Sequence, residues 1–213
     1  MKFTDFKLSP EIVQGLSDAG YTEATSLQEQ VLPPALDGSN LLVRARSGQG
    51  KDGAFIIPTL AHLAEARKNG HQGVGAVILT ASPPRVSKID ELLWVTGYHA
   101  HISSAQLVFK GDRDVQEQAL KDGVPVLISN PRYFSELCKA GKVDLSKLQM
   151  LIFDELDILL NEGDAKHLYN IIESIPPHPY QVMAFAERTA RSMEKVMGKS
   201  CDNTLLTIGF DRF

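Results

Sequence analysis

The chain has 213 residues, of which 43% are hydrophobic and 23% are charged, and its formal net charge at pH 7 is −4. These proportions are ordinary for a soluble globular protein, and the acidic balance argues against strong non-specific nucleic-acid binding, which depends on clustered lysine and arginine. No apolar run approaches the ~18 residues of a membrane span and the first residues do not resemble a signal peptide, so we expect a cytoplasmic protein without membrane contact.

Short apolar runs alternate with amphipathic stretches along the chain, without an internal repeat or a long linker. In chain order, these patterns predict helices at Ser9–Ala19 and Ser26–Ala35, a strand at Asn40–Arg44, a helix at Gly53–Asn69, a strand at Gly75–Thr80, a helix at Ser87–Trp94, a strand at Ala105–Phe109, a helix at Arg113–Lys121, a strand at Val124–Ser129, a helix at Pro131–Lys139, a strand at Gln149–Phe153, a helix at Ala165–Ile175, a strand at Gln181–Phe185, a helix at Thr189–Met197 and a strand at Thr204–Thr207. Strands that are apolar throughout are typical of a parallel sheet buried on both faces. The pattern therefore predicts a doubly wound α/β fold, in which ligands bind at the carboxyl ends of the strands.

A candidate phosphate-binding loop lies between the first predicted strand and the helix that follows it. The loop reads Ala45-Arg46-Ser47-Gly48-Gln49-Gly50-Lys51-Asp52. Its glycines let backbone N–H groups approach a polyphosphate closely, and Lys51 supplies a positive charge for the outer phosphates. The pattern requires Ser or Thr after the lysine, where a hydroxyl binds magnesium, but this chain has Asp52 there.

Acidic residues follow the strand predicted at Gln149–Phe153, which ends directly in Asp154-Glu155-Leu156-Asp157. A carboxylate at a strand end beside a phosphate-binding loop can hold magnesium through its water shell, and a neighbouring glutamate can orient an attacking water. The alternative is the solvated first turn of a helix, where acids are favoured by the helix dipole. Placed after an apolar strand and downstream of the loop, the acids favour the functional interpretation.

These motifs resemble those of the first RecA-like domain of DEAD-box RNA helicases, and the resemblance covers nearly all 213 residues. The acidic motif matches the one that names the family, with Leu for Ala, and the loop that begins at Ala45 matches the family's phosphate-binding loop. The resemblance implies one RecA-like ATP-binding domain over residues 1–213, with a mostly parallel sheet and helices on both faces. It also implies ATP and Mg²⁺ as cofactors, with Lys51, Asp154 and Glu155 as catalytic residues and Asp154 as a metal-binding residue.

Residues 1–30 resemble the family's Q motif, which reads adenine. The segment Gly20-Tyr21-Thr22-Glu23-Ala24-Thr25-Ser26-Leu27-Gln28 ends in the glutamine of the motif. Phe3 lies at the distance before Gly20 at which the family carries an isolated aromatic residue. The resemblance implies that Gln28 hydrogen-bonds the adenine edge, since glutamine offers a donor and an acceptor, and that Phe3 or Tyr21 contacts the adenine ring. Simple packing is the alternative for both aromatic residues.

The family's RNA-binding motifs are altered. Pro83 and Pro84 stand where the family has an arginine and a glutamate, and Arg85, displaced by two positions, is expected to be solvated. Proline cannot donate a backbone hydrogen bond and carries no charge to hold a phosphate. This segment is therefore predicted to have lost its RNA contacts.

Two other RNA-binding segments keep part of their pattern. Lys110-Gly111 corresponds to the family's paired glycines, and Arg132 lies in a segment that has lost its glycine and the register of its arginine. We expect RNA to contact Lys110, Gly111 and Arg132, but weakly. In a further altered motif Arg188 replaces a hydroxyl residue, and we expect it to pair with Asp157 or Glu155.

Asp52 has two interpretations. Its carboxylate is a hard oxygen ligand that could coordinate magnesium directly, so it is a second candidate metal-binding residue. It also adds a negative charge near the phosphates, and two unit charges ~4 Å apart in a partly buried site interact by roughly 4 kcal/mol. We therefore predict weak binding of magnesium-ATP and slow or absent hydrolysis.

The sequence thus predicts an ATP-binding domain similar to that of ATP-dependent DEAD-box RNA helicases, with weakened hydrolysis and RNA contacts. Activity would depend on a second RecA-like domain, in the same protein or in a protein partner, and we expect none of that domain within these residues. The alternative is a non-catalytic pseudo-helicase that acts as a protein or ribonucleoprotein interaction module.

Overall fold

The structure, a computed structural model, describes residues 1–161, 163–188, 191–201 and 205–209. In chain order, its elements are a 3₁₀ helix at Phe3–Phe6, α1 at Pro10–Asp18, α2 at Ser26–Leu36, β1 at Asn40–Arg44, α3 at Lys51–Lys68, β2 at Ala76–Leu79, α4 at Pro83–Gly97, β3 at Ser104–Leu107, α5 at Arg113–Lys121, β4 at Val126–Ser129, α6 at Pro131–Lys139, β5 at Met150–Phe153, α7 at Leu156–Asn161, α8 at Ala165–Ser174, β6 at Gln181–Ala186, α9 at Arg191–Ser200 and β7 at Leu205–Ile208. Thr189 and Thr204, where the last predicted helix and strand begin, lie outside the described residues.

The strands form one seven-stranded sheet in the order β3-β4-β2-β5-β6-β1-β7. Each pair of neighbouring strands is parallel. The loops that follow β1, β2, β5 and β6 therefore leave the same edge of the sheet, side by side. This arrangement brings the phosphate-binding loop and the acidic motif together, as expected for ligand sites on such sheets.

Helices cover both faces of the sheet. Leu41 and Val43 of β1 pack into a core with α1, α2, α3 and α4, whereas Leu42 packs into a second core with α6, α7, α8 and α9. The alternation follows from the two-residue period of a strand, and apolar residues on both faces produce the continuous apolar runs of the sequence. The predicted α/β fold with helices on both faces is confirmed.

Helix α4 begins earlier than the sequence analysis predicted, at Pro83 instead of Ser87. Pro83 and Pro84 occupy the first two helical positions, where the backbone N–H that proline lacks would have no partner within the helix. The proline pair therefore starts the helix instead of interrupting it. As a result, Arg85 lies in the first turn of α4, beside the carboxyl ends of the strands.

Helix α1 crosses α4 at very short distance. A Cβ atom built on Gly15 would lie 2.2 Å from the backbone oxygen of Thr96, so only glycine permits this approach. The contact fixes α1 against the helix that carries Arg85.

Within the described part of the chain, no helix is both long enough and apolar enough to cross a membrane.

Candidate functional site

The loop after β1 leads into the N-terminus of α3. Gly48 and Gly50 both have a φ of +83°, in the left-handed region that glycine adopts without strain, and Gly50 is the residue that caps α3. The side-chain Oε1 of Gln49 accepts a hydrogen bond from the backbone N–H of Arg46 at 2.7 Å. This hydrogen bond and the left-handed conformations of the two glycines hold the loop in a tight turn in front of the helix.

Gln28 attaches the loop to α2. Its side chain is 1% exposed. Its Nε2 donates to the backbone oxygen of Gly50 at 2.9 Å, and its Oε1 accepts from the backbone N–H of Thr25 at 3.0 Å. The Thr25 hydroxyl donates to the backbone oxygen of Gln49 at 2.8 Å. Gln28 therefore positions the loop, and its predicted hydrogen bond to adenine stays a prediction.

The two aromatic residues of the predicted adenine site have different environments. Phe3 is 3% exposed and packs in the core, with its ring centroid 6.1 Å from that of Tyr21. Tyr21 is half-buried and lies against the first turn of α3, where a Cβ atom on Gly53 would be 2.8 Å from its ring. Burial, and then the charge of Asp52, raise the pKa of Tyr21. Phe3 is thus packed in the core and Tyr21 keeps part of its ring exposed, while contact of either ring with adenine stays a prediction.

The acidic motif follows β5 and faces the loop lysine. The Nζ of Lys51 lies 2.8 Å from Oδ1 of Asp154 and 3.2 Å from Oε1 of Glu155. Asp154 is fully buried and also accepts a hydrogen bond from the hydroxyl of Thr80 at 3.1 Å. Glu155 has a φ of +57°, a left-handed conformation that is uncommon for a residue with a side chain and often marks a functional site.

Arg85 lies between two carboxylates of the site. Its Nη1 donates to Oδ2 of Asp52 at 3.0 Å, and its Nη2 donates to Oδ1 of the same residue. Its Nε donates to Oδ2 of Asp154 at 2.6 Å, and Nη2 also donates to Oδ1 of that residue at 3.2 Å. The side chain of Arg85 is only 12% exposed, so the prediction that it is solvated is wrong. The reason is the earlier start of α4, which places Arg85 in the first turn facing the loop.

The sequence contains a signal that could have located Arg85. Two prolines after a strand are compatible with the first positions of a helix, and a helix from Pro83 places Arg85 and Lys88 on one face. The Nζ of Lys88 lies 3.4 Å from Oδ2 of Asp52, although its side chain is 66% exposed. Two basic residues of α4 thus face the aspartate that breaks the loop pattern.

The charges of Arg85 and Asp52 stabilise each other. Burial alone would raise the pKa of Asp52, but the hydrogen bonds and charge of Arg85, with a smaller contribution from Lys88, outweigh it and lower that pKa. Burial alone would lower the pKa of Arg85, but its bonds to Asp52 and Asp154 raise it. Both groups are therefore charged at neutral pH.

We expect the Asp52–Arg85 pair to make stability depend on pH in the acid range. The carboxyl pKa of Asp52 is lowered from its ordinary 3.8, so its contribution is complete above that value and is lost as the pH falls through the lowered pKa. Between roughly pH 5 and pH 3, the free energy of unfolding should fall more steeply for the wild type than for Asp52→Asn. Urea unfolding at a series of pH values measures the difference. A difference between the two proteins that does not change with pH would contradict this expectation.

The predicted magnesium ion does not fit the carboxylates as the structure has them. Asp52 and Asp154, its two predicted ligands, are both hydrogen-bonded to the guanidinium of Arg85. Among the described residues, no group of three or more His, Cys, Asp or Glu residues is placed to hold a metal ion.

The predicted RNA-binding residues lie at another part of the same edge of the sheet. Lys110 and Arg132 are exposed, and Nε of Arg132 is 3.9 Å from the carboxylate of Glu136. Gly111 is half-buried. Next to these residues, the rings of Phe109 and Tyr133 contact each other with centroids 4.6 Å apart, which joins the two segments. Contact with RNA stays a prediction for Lys110, Gly111 and Arg132.

The predicted ion pair of Arg188 is wrong. Its backbone N–H donates to Oδ2 of Asp157 at 3.1 Å, and its side chain is exposed and forms no ion pair with the described residues. The segment after β6 is thus connected to the acidic motif through its backbone N–H, a contact that any residue except proline can make at position 188.

Comparison with known proteins agrees with this geometry. The sequence model of the DEAD/DEAH box helicase family matches residues 25–187. The chain belongs to this family. The match begins at the threonine that contacts the loop and ends just after β6, so it includes both halves of the DEAD-box site.

Curated DEAD-box relatives are longer than this chain. The ATP-dependent RNA helicase DBP4 of Mycosarcoma maydis is 32% identical over 191 residues, which make up 89% of this chain and 21% of that protein. The DEAD-box ATP-dependent RNA helicase 41 of Oryza sativa subsp. japonica is 29% identical over 209 residues, 96% of this chain and 38% of that protein. The chain therefore spans well under half the length of these relatives.

Solved structures show the same fold. The crystal structure of a DEAD box protein from the hyperthermophile Methanococcus jannaschii has a TM-score of 0.87 to this chain at 24% identity, and the match covers 98% of this chain and 55% of that one. The predicted resemblance to a DEAD-box helicase domain is thus confirmed at the level of family and fold.

Proposed function

We propose that the chain is an ATP-binding domain of the DEAD-box RNA helicase type, in which ATP hydrolysis and RNA contacts are weakened. The observation that carries the proposal is the position of Lys51, at the start of α3 and 2.8 Å from Asp154. Loop glycines, a helix N-terminus, a lysine and two acids therefore converge at one edge of the sheet, which is the constellation that binds and positions a nucleoside triphosphate. The matched relatives are ATP-dependent RNA helicases by name, and this supports ATP as the nucleotide.

The charges of the site are the reason to propose weak binding. Lys51 pairs with Asp154 and Glu155, so phosphates compete with two carboxylates for this lysine. Asp52 is neutralised by Arg85 and offers no hydroxyl. For full activity, we propose that a second RecA-like domain, in the same protein or in a protein partner, supplies further residues, and that Lys110, Gly111 and Arg132 contribute only weak RNA contacts.

Fluorescence titration of the 213-residue chain with mant-ATP tests the proposal. We expect Lys51→Ala to weaken binding by about tenfold or more, because the lysine is the loop's charge for the phosphates. Lys110→Ala is the matched control, since it removes an exposed lysine elsewhere at the same edge, and it should change the affinity by less than about twofold. Equal affinities for the wild type and Lys51→Ala would contradict a nucleotide site at this loop.

One observation favours the alternative, a non-catalytic interaction module. Trp94 of α4 and Tyr98, the residue that follows this helix, are 68% and 62% exposed, with ring centroids 6.1 Å apart. Exposed aromatic residues of this size are enriched where proteins bind one another. If the chain binds no ATP in the titration, with or without magnesium, this alternative replaces the first proposal.

A further inference from the structure

We propose that the guanidinium of Arg85 takes the place of the magnesium ion, so that this site binds its nucleotide without a divalent cation. The inference rests on the proposed function and changes the predicted role of magnesium. It follows from the contacts of Arg85 with Asp52 and Asp154, and from the charges around them.

The positions that Arg85 connects are the two that hold magnesium in P-loop proteins. These are the residue after the loop lysine and the aspartate at the end of the strand that faces the loop. In this chain they are Asp52 and Asp154, and a single guanidinium bonds both through Nε, Nη1 and Nη2. A planar guanidinium with five donors in a fixed geometry is well suited to hold two carboxylates at once.

The carboxylate of Asp154 has no free lone pair with which to bind a metal ion. An ionised carboxylate offers about four lone-pair sites. Those of Asp154 accept from the Thr80 hydroxyl at 3.1 Å, from Arg85 Nε at 2.6 Å and from Arg85 Nη2 at 3.2 Å, and Oδ1 also contacts Lys51 Nζ at 2.8 Å. Magnesium requires a near-octahedral set of oxygen ligands, and here it would have to displace a buried cation to reach one.

The charges of the site balance without a metal ion. Three carboxylates face three cations, and the six residues are Asp52, Asp154, Glu155, Lys51, Arg85 and Lys88. The aspartate after the loop lysine adds one negative charge relative to the serine or threonine of the pattern, and Arg85 supplies the positive charge that compensates it. The charges of the two residues that depart from the family's pattern therefore compensate each other.

Arg85 also retains a donor for a phosphate. Its bonds to Asp52 and Asp154 use the N–H of Nε, one N–H of Nη1 and both of Nη2. Among the residues that the structure describes, the second N–H of Nη1 has no partner. We assign it to a phosphate oxygen, next to Lys51. A guanidinium can hold a phosphate in this way, but it carries no bound water that could be activated, which agrees with weak hydrolysis.

The first test compares nucleotide affinity with and without magnesium. The wild-type chain is titrated with mant-ATP in MgCl₂ and in EDTA, and we expect the two dissociation constants to agree within about twofold. Affinity that is about tenfold or more higher in magnesium would overturn the inference. Absence of binding in both buffers would refute the proposed function and, with it, metal-free nucleotide binding; the second test then decides whether Arg85 occupies the metal position.

The second test needs no nucleotide. Binding of Mn²⁺ to the chain is followed by electron paramagnetic resonance in the wild type, in Arg85→Gln, and in Arg85→Gln combined with Asp52→Asn. We expect Arg85→Gln to gain a Mn²⁺ site of at least about tenfold higher affinity than any in the wild type, because Asp52 and Asp154 lose the buried cation that they share. We expect the double variant to lose this site. Equal Mn²⁺ binding by wild type and Arg85→Gln, whether weak or strong, overturns the inference.

A folding measurement covers the case in which Arg85→Gln is unstable. If this variant does not fold in EDTA, its recovery of a cooperative thermal transition in Mn²⁺ supports the inference, since the metal ion then replaces the guanidinium. Failure to fold in both buffers counts against it. Asp52→Thr with Arg85 intact is a further control, and we expect it to gain no Mn²⁺ site because Arg85 still bonds Asp154.

Discussion

Replacing Arg85 with methionine is expected to lower the free energy of unfolding by about 3 kcal/mol, because removing one partner of a buried ion pair leaves the other charge without compensation. Asp154 is fully buried and would retain only Lys51 and Thr80. Asp52 would retain Lys88, whose side chain is mostly exposed, as a close cation. The methionine keeps most of the packing of the arginine side chain, so the loss measures mainly the charge and hydrogen bonds.

Lys88→Met is the matched control for this prediction. Lys88 lies on the same helix and contacts the same aspartate, but its exposure to solvent limits the expected loss to about 0.5 kcal/mol. Urea unfolding at pH 7 compares the variants. The double variant Arg85→Met with Asp52→Asn should lose less free energy of unfolding than the sum of the two single variants. The reason is that Asp52→Asn removes the carboxylate that Arg85→Met leaves without a close buried cation. Equal losses for Arg85→Met and Lys88→Met would show that the buried pair contributes little.

Replacing Gly15 with alanine is expected to destabilise the protein by about 2 kcal/mol through overpacking. The new methyl group would lie 2.2 Å from the backbone oxygen of Thr96, which belongs to a helix and cannot move aside alone. Alanine by itself favours a helix over glycine by about 1 kcal/mol, so a net loss shows that the contact between α1 and α4 outweighs this preference.

Gly198→Ala is the matched control for Gly15→Ala, and we expect it to stabilise the protein. Gly198 lies within α9, and a Cβ atom built there would have no atom of another described segment within 4 Å. We expect this substitution to raise the free energy of unfolding by about 0.5–1 kcal/mol. Thermal or urea unfolding of the two variants beside the wild type is the measurement. A gain for Gly15→Ala would mean that the two helices do not approach each other as closely as described.

Local signals made several elements predictable to the residue. Helix α5 at Arg113–Lys121 and helix α6 at Pro131–Lys139 begin after Asp112 and Asn130, whose side chains accept hydrogen bonds from backbone N–H groups of the first turn. Residue types that form such caps can be recognised in the sequence. Helix α4 was misjudged because a proline pair can either end an element or start a helix, and the choice depends on packing.

The site was predictable only where it depends on topology. Lys51 and Asp154 follow strands of a parallel sheet, and their approach follows from the fold. The position of Arg85 depends on where a helix begins, and the burial of Phe3 depends on how the N-terminal turn packs against Tyr21. The proline pair only permits a helix to begin at Pro83, and no motif specifies the burial of Phe3, so contacts between segments distant in the sequence decide both.

The position of β1 in the sheet has a consequence for synthesis of the protein. The strand that leads into the phosphate-binding loop pairs only with β6 and β7, near the other end of the chain, as far as the described residues show. A ribosome adds about 5–20 residues per second, so the interval between synthesis of β1 and synthesis of β6, its first sheet partner, is on the order of ten seconds. The apolar residues that remain unpaired during this interval are Leu41, Leu42 and Val43. During that interval the nascent chain exposes an apolar, unpaired strand, so recognition by chaperones is most needed before β6 leaves the ribosome.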